Sequence, residues 1–512
     1  MKILPYLIAA SLGLTMLPAI PVLAASQNHA ANAIDWRKDN NLEAAFAAAK
    51  ASNKPLFLYW GAVWCPPCNQ VKATIFNRQE FIDKSRHFIP VYLDGDSPGA
   101  QKYGSQFKVR GYPTMILIKP DGTEITRLPG EVDAERYLQV LTLALNTNLS
   151  TQDTVKLALA GGKGLKPEDW SLLADYSWDD PQQKLVPAAD LPASLLKLAQ
   201  TAPQADDASR LYIRALVASA KAKAEPKGLD KSQALEKLLK ILKDPRLSRD
   251  NLDQLTGYTD ILLDYLTQAK SDPRKQLSSV WQAALVKLAD DSSLSKSDRI
   301  SALNAQVVLA KQDQQTIDKS FSQAVQKRIA QIEQATTDAY ERQSVVSSAA
   351  YTLANAGLMD DSDNLLKAEL KRSHSPYYFM SSLASNARKR GDKQAAANWY
   401  EQAYNAAQGP ATRLQWGSNY VTGLIDLVPE QDQRVEKAAQ SVLAEVAKID
   451  NPFYERNRAY LEKMGKKLNE WNKEGKHQAS YKKIATQLDG ICNKLPAQDA
   501  QKAVCQSVLA KS

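Results

Sequence analysis

Residues 55–68 read Pro-Leu-Phe-Leu-Tyr-Trp-Gly-Ala-Val-Trp-Cys-Pro-Pro-Cys and place two cysteines directly after a short apolar run. The run 55–60 has the length and composition of a buried β-strand. Residues 69–73 then suit a helix. Cys65 and Cys68 are therefore expected in the turn between a strand and a helix, about one helical turn apart.

This position has consequences for the chemistry of the two thiols. A thiolate at the start of a helix is stabilised by free N–H groups and by the helix dipole, which lowers its pKa. We therefore expect Cys65 to be the exposed, attacking thiol and Cys68 to resolve the mixed disulfide that Cys65 forms. Pro67 is tolerated in the first turn, and Pro66 removes a further N–H donor. The pKa of Cys65 is accordingly expected to be only moderately lowered.

Two other interpretations of the pair remain open, half of a zinc site and a structural disulfide. A structural zinc site usually needs four ligands. The other two cysteines, Cys492 and Cys505, lie more than 400 residues further along, and the four histidines are scattered. The strand, turn and helix context beside Trp64 favours redox chemistry over a purely structural bond. The sequence indicates no cofactor and no metal site.

Strand and helix signals alternate on both sides of the cysteines. Residues 119–122 carry a Pro-Asp-Gly turn between two apolar runs, and Asp133 is placed as the N-cap of a helix. Such alternation predicts an α/β domain with a central sheet, here assigned to residues 30–147. The other predicted strands are 88–93, 114–118 and 124–128, and the other predicted helices are 42–49, 80–84 and 134–145. A further helix, without assigned bounds, is expected between the second strand and the hairpin of the last two strands.

Two motifs of this domain match those of a known family. Residues 64–68, Trp-Cys-Pro-Pro-Cys, and residues 111–114, Gly-Tyr-Pro-Thr, resemble the redox site and the cis-proline loop of the thioredoxin superfamily. The stretch from Cys68 to Phe81 also looks like the C-terminal domain of DsbD-type disulfide reductases. The resemblance covers about 120 of the 512 residues and is not specific for a substrate.

The resemblance implies a thioredoxin fold and thiol–disulfide exchange with protein substrates. It implies that a cis bond before Pro113 sets the Tyr112 backbone beside the Cys65 sulfur, where a substrate strand can pair. From the residues alone an ordinary trans proline stays open. The implied catalytic residues are Cys65 and Cys68, and the implied substrate-binding residues are Trp64, Tyr112 and Pro113.

At two positions the sequence departs from the family. Tyr59 stands where thioredoxins commonly carry a buried Asp, and Val63 stands where the reductases often carry an acid. Water or the Tyr59 hydroxyl is then left to accept the proton of the resolving thiol, and a phenol with a pKa near 10 is a poor base at pH 7. We expect slow resolution by Cys68. The absence of a His between the cysteines favours reductase or isomerase work over oxidation.

The first 24 residues read as a signal peptide. Lys2 supplies the positive start, residues 6–17 supply an apolar core, and residues 22–24 supply a small-residue cleavage site. Pro18 and the short core argue against an uncleaved anchor. The chain is therefore expected to be exported, to the periplasm, and not to span the membrane after cleavage. We expect a reductase there to need a membrane electron donor of the DsbD type.

Beyond a predicted linker at 148–165, residues 166–512 show apolar residues at helical spacing. A period of 34 residues, clearest at 345–410, resembles the tetratricopeptide repeat, a helix–turn–helix unit. An all-α helical-repeat domain is therefore predicted. The positions that recur are Gly357 with Gly391, Pro376 with Pro410, Ala350 with Ala384, Leu353 with Ala387, Leu366 with Tyr400, and Leu370 with Tyr404.

The helical domain leaves two functions open, a concave surface that recruits protein partners and a spacer without a ligand. Its aromatic residues are expected mainly in the core; they include Tyr377, Tyr378, Trp399 and Trp416. Cys492 and Cys505 are expected to form a structural disulfide across a break at Pro496, with a second redox relay as the alternative. The net charge of +9 is spread over 121 charged residues and gives little support for a nucleic-acid partner.

Two hypotheses follow for the whole chain. The first is an exported thiol–disulfide oxidoreductase of the protein-disulfide reductase type whose helical domain recruits partners. The second is a helical-repeat adaptor in which a weakly active thioredoxin-like domain docks proteins. Only the first requires both Cys65 and Cys68.

Overall fold

The computed structural model describes residues 33–37, 41–97, 99–128, 130, 133–178, 185–312 and 317–510. The predicted signal peptide, residues 1–24, lies outside the described residues. The predicted order of an α/β part followed by a large all-α part is confirmed.

In the described part of the chain, four strands form one sheet in the order β2-β1-β3-β4. β1 pairs with β2 in parallel and with β3 antiparallel, and β3 pairs with β4 antiparallel. Because β1 is central, all of its residues are buried, as expected for a strand covered on both faces. The strands are β1 (Leu56–Gly61), β2 (Ile89–Asp94), β3 (Thr114–Ile118) and β4 (Glu124–Leu128).

Helices cover both faces of this sheet. Alternate residues of β1 point to opposite faces, so Phe57 and Tyr59 enter one core and Leu58 and Trp60 enter the other. Asp133 is the predicted N-cap, and its side chain accepts hydrogen bonds from two backbone N–H groups of α5. Helix α4 lies between β2 and the β3–β4 hairpin, where a helix without assigned bounds was expected. The helices are α1 (Leu42–Ser52), α2 (Pro66–Val71), which continues as a π-helical turn (Lys72–Phe76), α3 (Gln79–Lys84), α4 (Ala100–Phe107) and α5 (Ala134–Asn146).

In the rest of the described chain the regular elements are all helices. No helix in the described segments is long and apolar enough to cross a membrane. The helices are α6 (Thr151–Leu159), α7 (Pro167–Asp175), α8 (Leu191–Thr201), α9 (Ala205–Ala222), α10 (Lys231–Lys243), α11 (Pro245–Asp250), α12 (Leu252–Gly257), α13 (Thr259–Leu266), α14 (Asp272–Asp290), α15 (Lys296–Lys311), α16 (Lys319–Gln334), α17 (Ala339–Asn355), α18 (Met359–Glu369), α19 (Pro376–Lys389), α20 (Lys393–Ala406), α21 (Pro410–Leu427), α22 (Asp432–Val446), α23 (Glu455–Trp471), α24 (Gln478–Cys492) and α25 (Ala500–Ser507).

The 34-residue period corresponds to pairs of helices. Gly357 and Gly391 follow α17 and α19 with φ values of 83° and 82°, a conformation that favours glycine. Pro376 and Pro410 each occupy the first position of a helix, where the missing N–H costs nothing. The pairs α17–α18 and α19–α20 are the two repeats visible in the sequence, and α21–α22 packs next to them as a further pair.

The stretch predicted as a linker, residues 148–165, contains α6. The Thr151 hydroxyl donates a hydrogen bond to the carbonyl oxygen of Ile125 in β4. Close by, the buried Asp175 of α7 pairs with Arg136 of α5 at 2.8 Å and with Arg210 of α9 at 2.7 Å. Helix α6 itself packs against β4 and against α7 and α8, so this stretch ties the sheet to the first helices.

Candidate functional site

The two cysteines lie at the start of α2, after β1 has ended. Cys65 is the N-cap residue, and the backbone N–H of Cys68 donates to its sulfur at 3.2 Å. Pro66 and Pro67 occupy the first two helical positions and offer no N–H group. Cys65 and Cys68 form a disulfide with their Cα atoms 5.2 Å apart. The pair is thus held at the end of the helix where a thiolate is best stabilised.

The loop before β3 lies against this disulfide. The Tyr112–Pro113 peptide bond is cis. The carbonyl oxygen of Tyr112 is 3.5 Å from the Cys65 sulfur. Burial raises the pKa of the Tyr112 hydroxyl to about 12, and this hydroxyl accepts a hydrogen bond from Gln101 at 3.2 Å. The structure therefore brings the residues chosen from the two motifs together, including Trp64, whose ring lies 6.3 Å from that of Tyr112.

The expectation that Cys65 is exposed was wrong. Its side chain and backbone are only 2% exposed, and Trp64 is 6% exposed. Both residues belong to one apolar cluster with side chains of the helical part. The cause is the placement of α17, α19, α21 and α23, each of which has a residue near its N-terminal end in contact with Trp64.

Helix α21 makes the direct contacts with Trp64. The indole N–H of Trp64 donates to the Thr412 hydroxyl at 2.9 Å. The Trp416 ring meets the Trp64 ring edge-on, with their centres 4.8 Å apart. On α19, the Tyr378 ring also stacks on the Trp64 ring, with their centres 6.2 Å apart. Tyr378 and Trp416, expected mainly in the core, are thus also part of the surface that covers the redox site. Their sequence positions carry no signal for this contact.

Helix α23 adds a cation to the same surface. The guanidinium of Arg456 lies 4.8 Å from the ring centre of Tyr112 and 5.4 Å from that of Trp64. It also donates to the backbone carbonyl of Arg110 at 3.0 Å and to the Gln415 side chain at 3.1 Å. Arg456 therefore links both aromatic residues of the redox site to α21 and α23.

Asp96, just after β2, caps helix α21 from the other part of the chain. Its carboxylate accepts from the Thr412 backbone N–H at 2.7 Å and from the Thr412 hydroxyl at 2.5 Å. Burial raises the pKa of Asp96 to about 6, against the lowering effect of the Thr412 hydrogen bonds and with a smaller contribution from Asp94. The Thr412 hydroxyl accepts from Trp64 and donates to Asp96, so one group joins three elements.

Further polar contacts surround α2. The Val63 carbonyl oxygen lies 2.9 Å from His374 Nε2 and accepts from the Asn69 amide at 2.8 Å. The Gln70 amide donates to Asp298 at 3.0 Å and to Ser295 at 3.2 Å, both at the start of α15. The helical part therefore contacts the redox segment through hydrogen bonds as well as apolar packing.

Tyr59 does not provide the missing proton acceptor. Its ring is buried between Trp36, Phe76 and Tyr92. Burial raises the pKa of its hydroxyl far above the ordinary value of 10, with a smaller contribution from Asp94. Among the described residues no group forms a hydrogen bond with this hydroxyl. The phenol is thus an even poorer base than its sequence position suggests.

Cys492 and Cys505 lie far from this chemistry in sequence and form a second disulfide. Their Cα atoms are 5.6 Å apart, at the end of α24 and inside α25. Both are almost fully buried. No group of three or more His, Cys, Asp or Glu side chains that could hold a metal ion occurs within the described ranges.

Comparison with known proteins identifies relatives of the α/β part. A family model described as a thioredoxin-like domain matches residues 42–145. Over 102 residues, 19% of this chain and 18% of the relative, the sequence is 32% identical to the thiol:disulfide interchange protein DsbD of Pseudomonas fluorescens. Over 97 residues, 19% of this chain and 24% of the relative, it is 29% identical to the TPR repeat-containing thioredoxin TDX of Arabidopsis thaliana.

A smaller relative matches over most of its own length. The thioredoxin of Mycolicibacterium smegmatis is 30% identical over 94 residues, which are 18% of this chain and 81% of that protein. By contrast, this chain spans only about a fifth of the length of DsbD and of TDX. The likeness to all three is confined to less than a fifth of the present chain.

Proposed function

Because the chain belongs to the thioredoxin family through residues 42–145, we propose that it is a thiol–disulfide oxidoreductase acting through Cys65 and Cys68. The observation that carries the proposal is their disulfide at the first turn of α2, with the Tyr112 carbonyl oxygen 3.5 Å from the Cys65 sulfur. The substrates are thiols and disulfides of proteins.

The reaction in the reducing direction is an exchange of two disulfides. The Cys65 thiolate attacks one sulfur of the substrate disulfide, a mixed disulfide forms, and the other substrate sulfur leaves as a thiolate that takes up a proton. The Cys68 thiol then loses its proton and attacks the Cys65 sulfur. The Cys65–Cys68 disulfide forms, and the second substrate thiol is released. Two electrons pass from the dithiol of the protein to the substrate.

The geometry supports these separate roles. Cys65 is at the N-cap, where the N–H of Cys68 can stabilise a thiolate. Cys68 lies one turn further on and is bonded to Cys65, which suits attack by its sulfur on the Cys65 sulfur. Trp64, Tyr112 and Pro113 form the wall beside Cys65, and their backbone is where a substrate strand would pair.

The proposal includes a direction of electron flow and a compartment. The residues between the cysteines are prolines, without the histidine typical of strong oxidases, which favours a reductase or isomerase. Residues 1–24 favour export, to the periplasm, where a reductase needs a membrane electron donor of the DsbD type. Reduction-potential measurement against glutathione tests the direction, and N-terminal sequencing of the protein recovered from a periplasmic fraction tests export.

The central test is a substrate trap. In the Cys68→Ala variant the mixed disulfide on Cys65 cannot be resolved, so substrates should remain attached and appear as higher-mass bands that disappear on reduction. The Cys65→Ser variant, which lacks the attacking thiol, is the matched control and should trap nothing. Insulin reduction should be lost in both variants. Equal trapping by the two variants would contradict the assignment of Cys65 as the nucleophile.

The burial of Cys65 favours a second candidate function. A site that is 2% exposed fits a helical-repeat adaptor in which the thioredoxin-like part docks proteins and turns over little. This alternative predicts that Cys65→Ser and Cys68→Ala leave partner binding unchanged. If nothing is trapped and both substitutions are without effect in cells, the adaptor is the better description.

A further inference from the structure

We infer that Thr412 and Arg456 are specificity-determining residues of the redox site, because they hold the helical part over Cys65 and select which disulfides reach it. This inference rests on the proposed function. It concerns the surface that covers Cys65, defined here as the covering surface: Tyr378, Thr412, Trp416 and Arg456, from α19, α21 and α23.

The covering surface occupies the place where a substrate has to bind. Attack by the Cys65 sulfur requires a substrate sulfur in contact with it, and Cys65 is 2% exposed. A substrate strand can pair with the Tyr112 backbone only if it reaches the loop before β3. The Tyr112 ring in that loop lies beneath the Arg456 guanidinium. Exchange with a protein disulfide therefore requires the covering surface to move away, at least locally.

Thr412 is the polar centre of the contact. Its hydroxyl accepts from the Trp64 indole at 2.9 Å and donates to Asp96 at 2.5 Å. Both partners belong to the α/β part, one beside the cysteines and one after β2. Replacing this hydroxyl by a methyl group of similar size leaves the indole N–H without a partner in the closed state and removes one of the hydrogen bonds to the carboxylate, which keeps the bond from the Thr412 backbone N–H. This loss favours opening.

Arg456 holds the other side. Its guanidinium contacts the rings of Trp64 and Tyr112 and donates to the carbonyl of Arg110. A neutral glutamine in its place cannot make the cation–π contacts. It also lacks the planar guanidinium group, which donates several hydrogen bonds at once. Because Thr412 and Arg456 lie on different helices, substitution of either one tests the same contact independently.

The chain offers a matched control for each residue. Thr422 lies in the same helix as Thr412, is buried, and donates to the carbonyl oxygen of Asn419. Arg458 lies two residues after Arg456 and pairs at 2.7 Å with Glu462 of its own helix. The substitutions Thr422→Val and Arg458→Gln therefore remove the same chemical groups without touching the redox segment.

The test measures access to Cys65 in the full chain carrying Cys68→Ala, so that Cys65 is the reactive thiol. Labelling rates are compared for iodoacetamide and for a maleimide carrying a long polyethylene glycol chain, with circular dichroism to verify folding. We expect Thr412→Val and Arg456→Gln each to speed labelling by the large maleimide about tenfold, the equivalent of one lost hydrogen bond. Iodoacetamide should gain less, because it needs a smaller opening, and Thr422→Val and Arg458→Gln should change neither rate.

Two results would overturn the inference. One is labelling of Cys65 in the otherwise unaltered chain as fast as in concentrated urea. The other is that Thr412→Val and Arg456→Gln label no faster than their controls. Labelling requires no turnover. If the labelling rates separate as expected while no variant with both cysteines reduces insulin, the proposed function fails, and with it the selection of disulfides, whereas the control of access to Cys65 by Thr412 and Arg456 stands. With turnover, both variants should raise insulin reduction more than reduction of glutathione disulfide.

Discussion

The indole N–H of Trp64 donates a hydrogen bond at 2.9 Å to the hydroxyl of Thr412, 348 positions further along the chain. This contact brings the residue beside Cys65 and Cys68 under a helix of the other part of the molecule. The same hydroxyl reaches Asp96. The redox site of this protein is therefore assembled from both parts of the chain, and its accessibility depends on how they fit together.

Gly409→Ala should weaken this fit. Gly409 has a φ of 91°, and an added Cβ would overlap the Asp96 carboxylate. We expect a loss of unfolding free energy of about 2–3 kcal/mol, from backbone strain and from displacement of Asp96, together with faster labelling of Cys65. Urea denaturation and maleimide labelling check both effects.

Gly391→Ala is the control for backbone strain alone. Gly391 has a similar φ of 82°, but nothing lies within 4 Å of an added Cβ. Gly391→Ala should lower the free energy of unfolding by about 1 kcal/mol and leave the labelling rate of Cys65 unchanged. Equal labelling rates in the two alanine variants would contradict the role given to Asp96.

The free energy of unfolding should fall as the pH rises from about 4 to about 7. Burial raises the pKa of Asp298, which accepts from Gln70, to about 6, so the folded state binds this proton more tightly than the unfolded chain does. The resulting stabilisation is present below the unfolded pKa of 3.8 and is lost as the pH passes through 6. For Asp298 alone it amounts to at most about 3 kcal/mol.

The variant Asp298→Asn should show a smaller slope over this range in chemical denaturation at several pH values. Asp318→Asn is the control. The pKa of Asp318 is lowered by hydrogen bonds from Ser320 and Phe321, so this exposed group titrates below the range tested. A slope in Asp298→Asn as steep as that of the unaltered chain would refute the assignment.

Tyr59→Phe should stabilise the protein. The Tyr59 hydroxyl is buried without a hydrogen-bond partner among the described residues, so its removal should raise the free energy of unfolding by about 1 kcal/mol. The rate at which Cys68 resolves a mixed disulfide should stay the same, because this phenol does not act as a base. Stopped-flow kinetics and urea denaturation give the two measurements.

Tyr137→Phe provides the comparison in the same core. Its hydroxyl lies 3.0 Å from the Met115 sulfur, so the substitution removes an existing contact and should bring no gain in stability. Slower resolution in Tyr59→Phe, with Tyr137→Phe unaffected, would restore the idea that Tyr59 accepts the proton.

Replacing both Cys492 and Cys505 by Ser should destabilise the C-terminal hairpin. The disulfide joins residues with a sequence separation of 13. Because it restricts the entropy of the unfolded chain, its removal should lower the free energy of unfolding by about 3 kcal/mol. Thermal unfolding of the oxidised protein measures the loss. The double replacement of Cys65 and Cys68, whose separation is 3, should cost less. Free thiols at 492 and 505 in alkylation without reductant would contradict the bond.

Much of the α/β part could be predicted because its signals are local. Apolar runs marked the strands to within a residue at their ends, and Asp133 marked the start of α5. The paired positions of Gly357 and Gly391 marked the helix pairs, because each glycine follows a helix with a positive φ. Helix α4, with few apolar residues and no side-chain N-cap, gave no comparable signal for where it begins and ends.

The burial of Cys65 could not be predicted in the same way. Thr412, Trp416 and Arg456 show no local pattern that points to residues more than 300 positions earlier. The prediction that Cys65 is exposed followed from its position at the start of a helix, and it was wrong because other helices cover that position.

By itself the sequence determined that two thiols stand one turn apart between a strand and a helix, and that a long helical array follows. These properties depend on neighbours within a few residues, through backbone preference and the spacing of apolar side chains. Only the tertiary structure decided that the array lies across the thiols. That outcome depends on the fit of distant surfaces, Thr412 between Trp64 and Asp96 above all, and local preferences carry no information about such a fit.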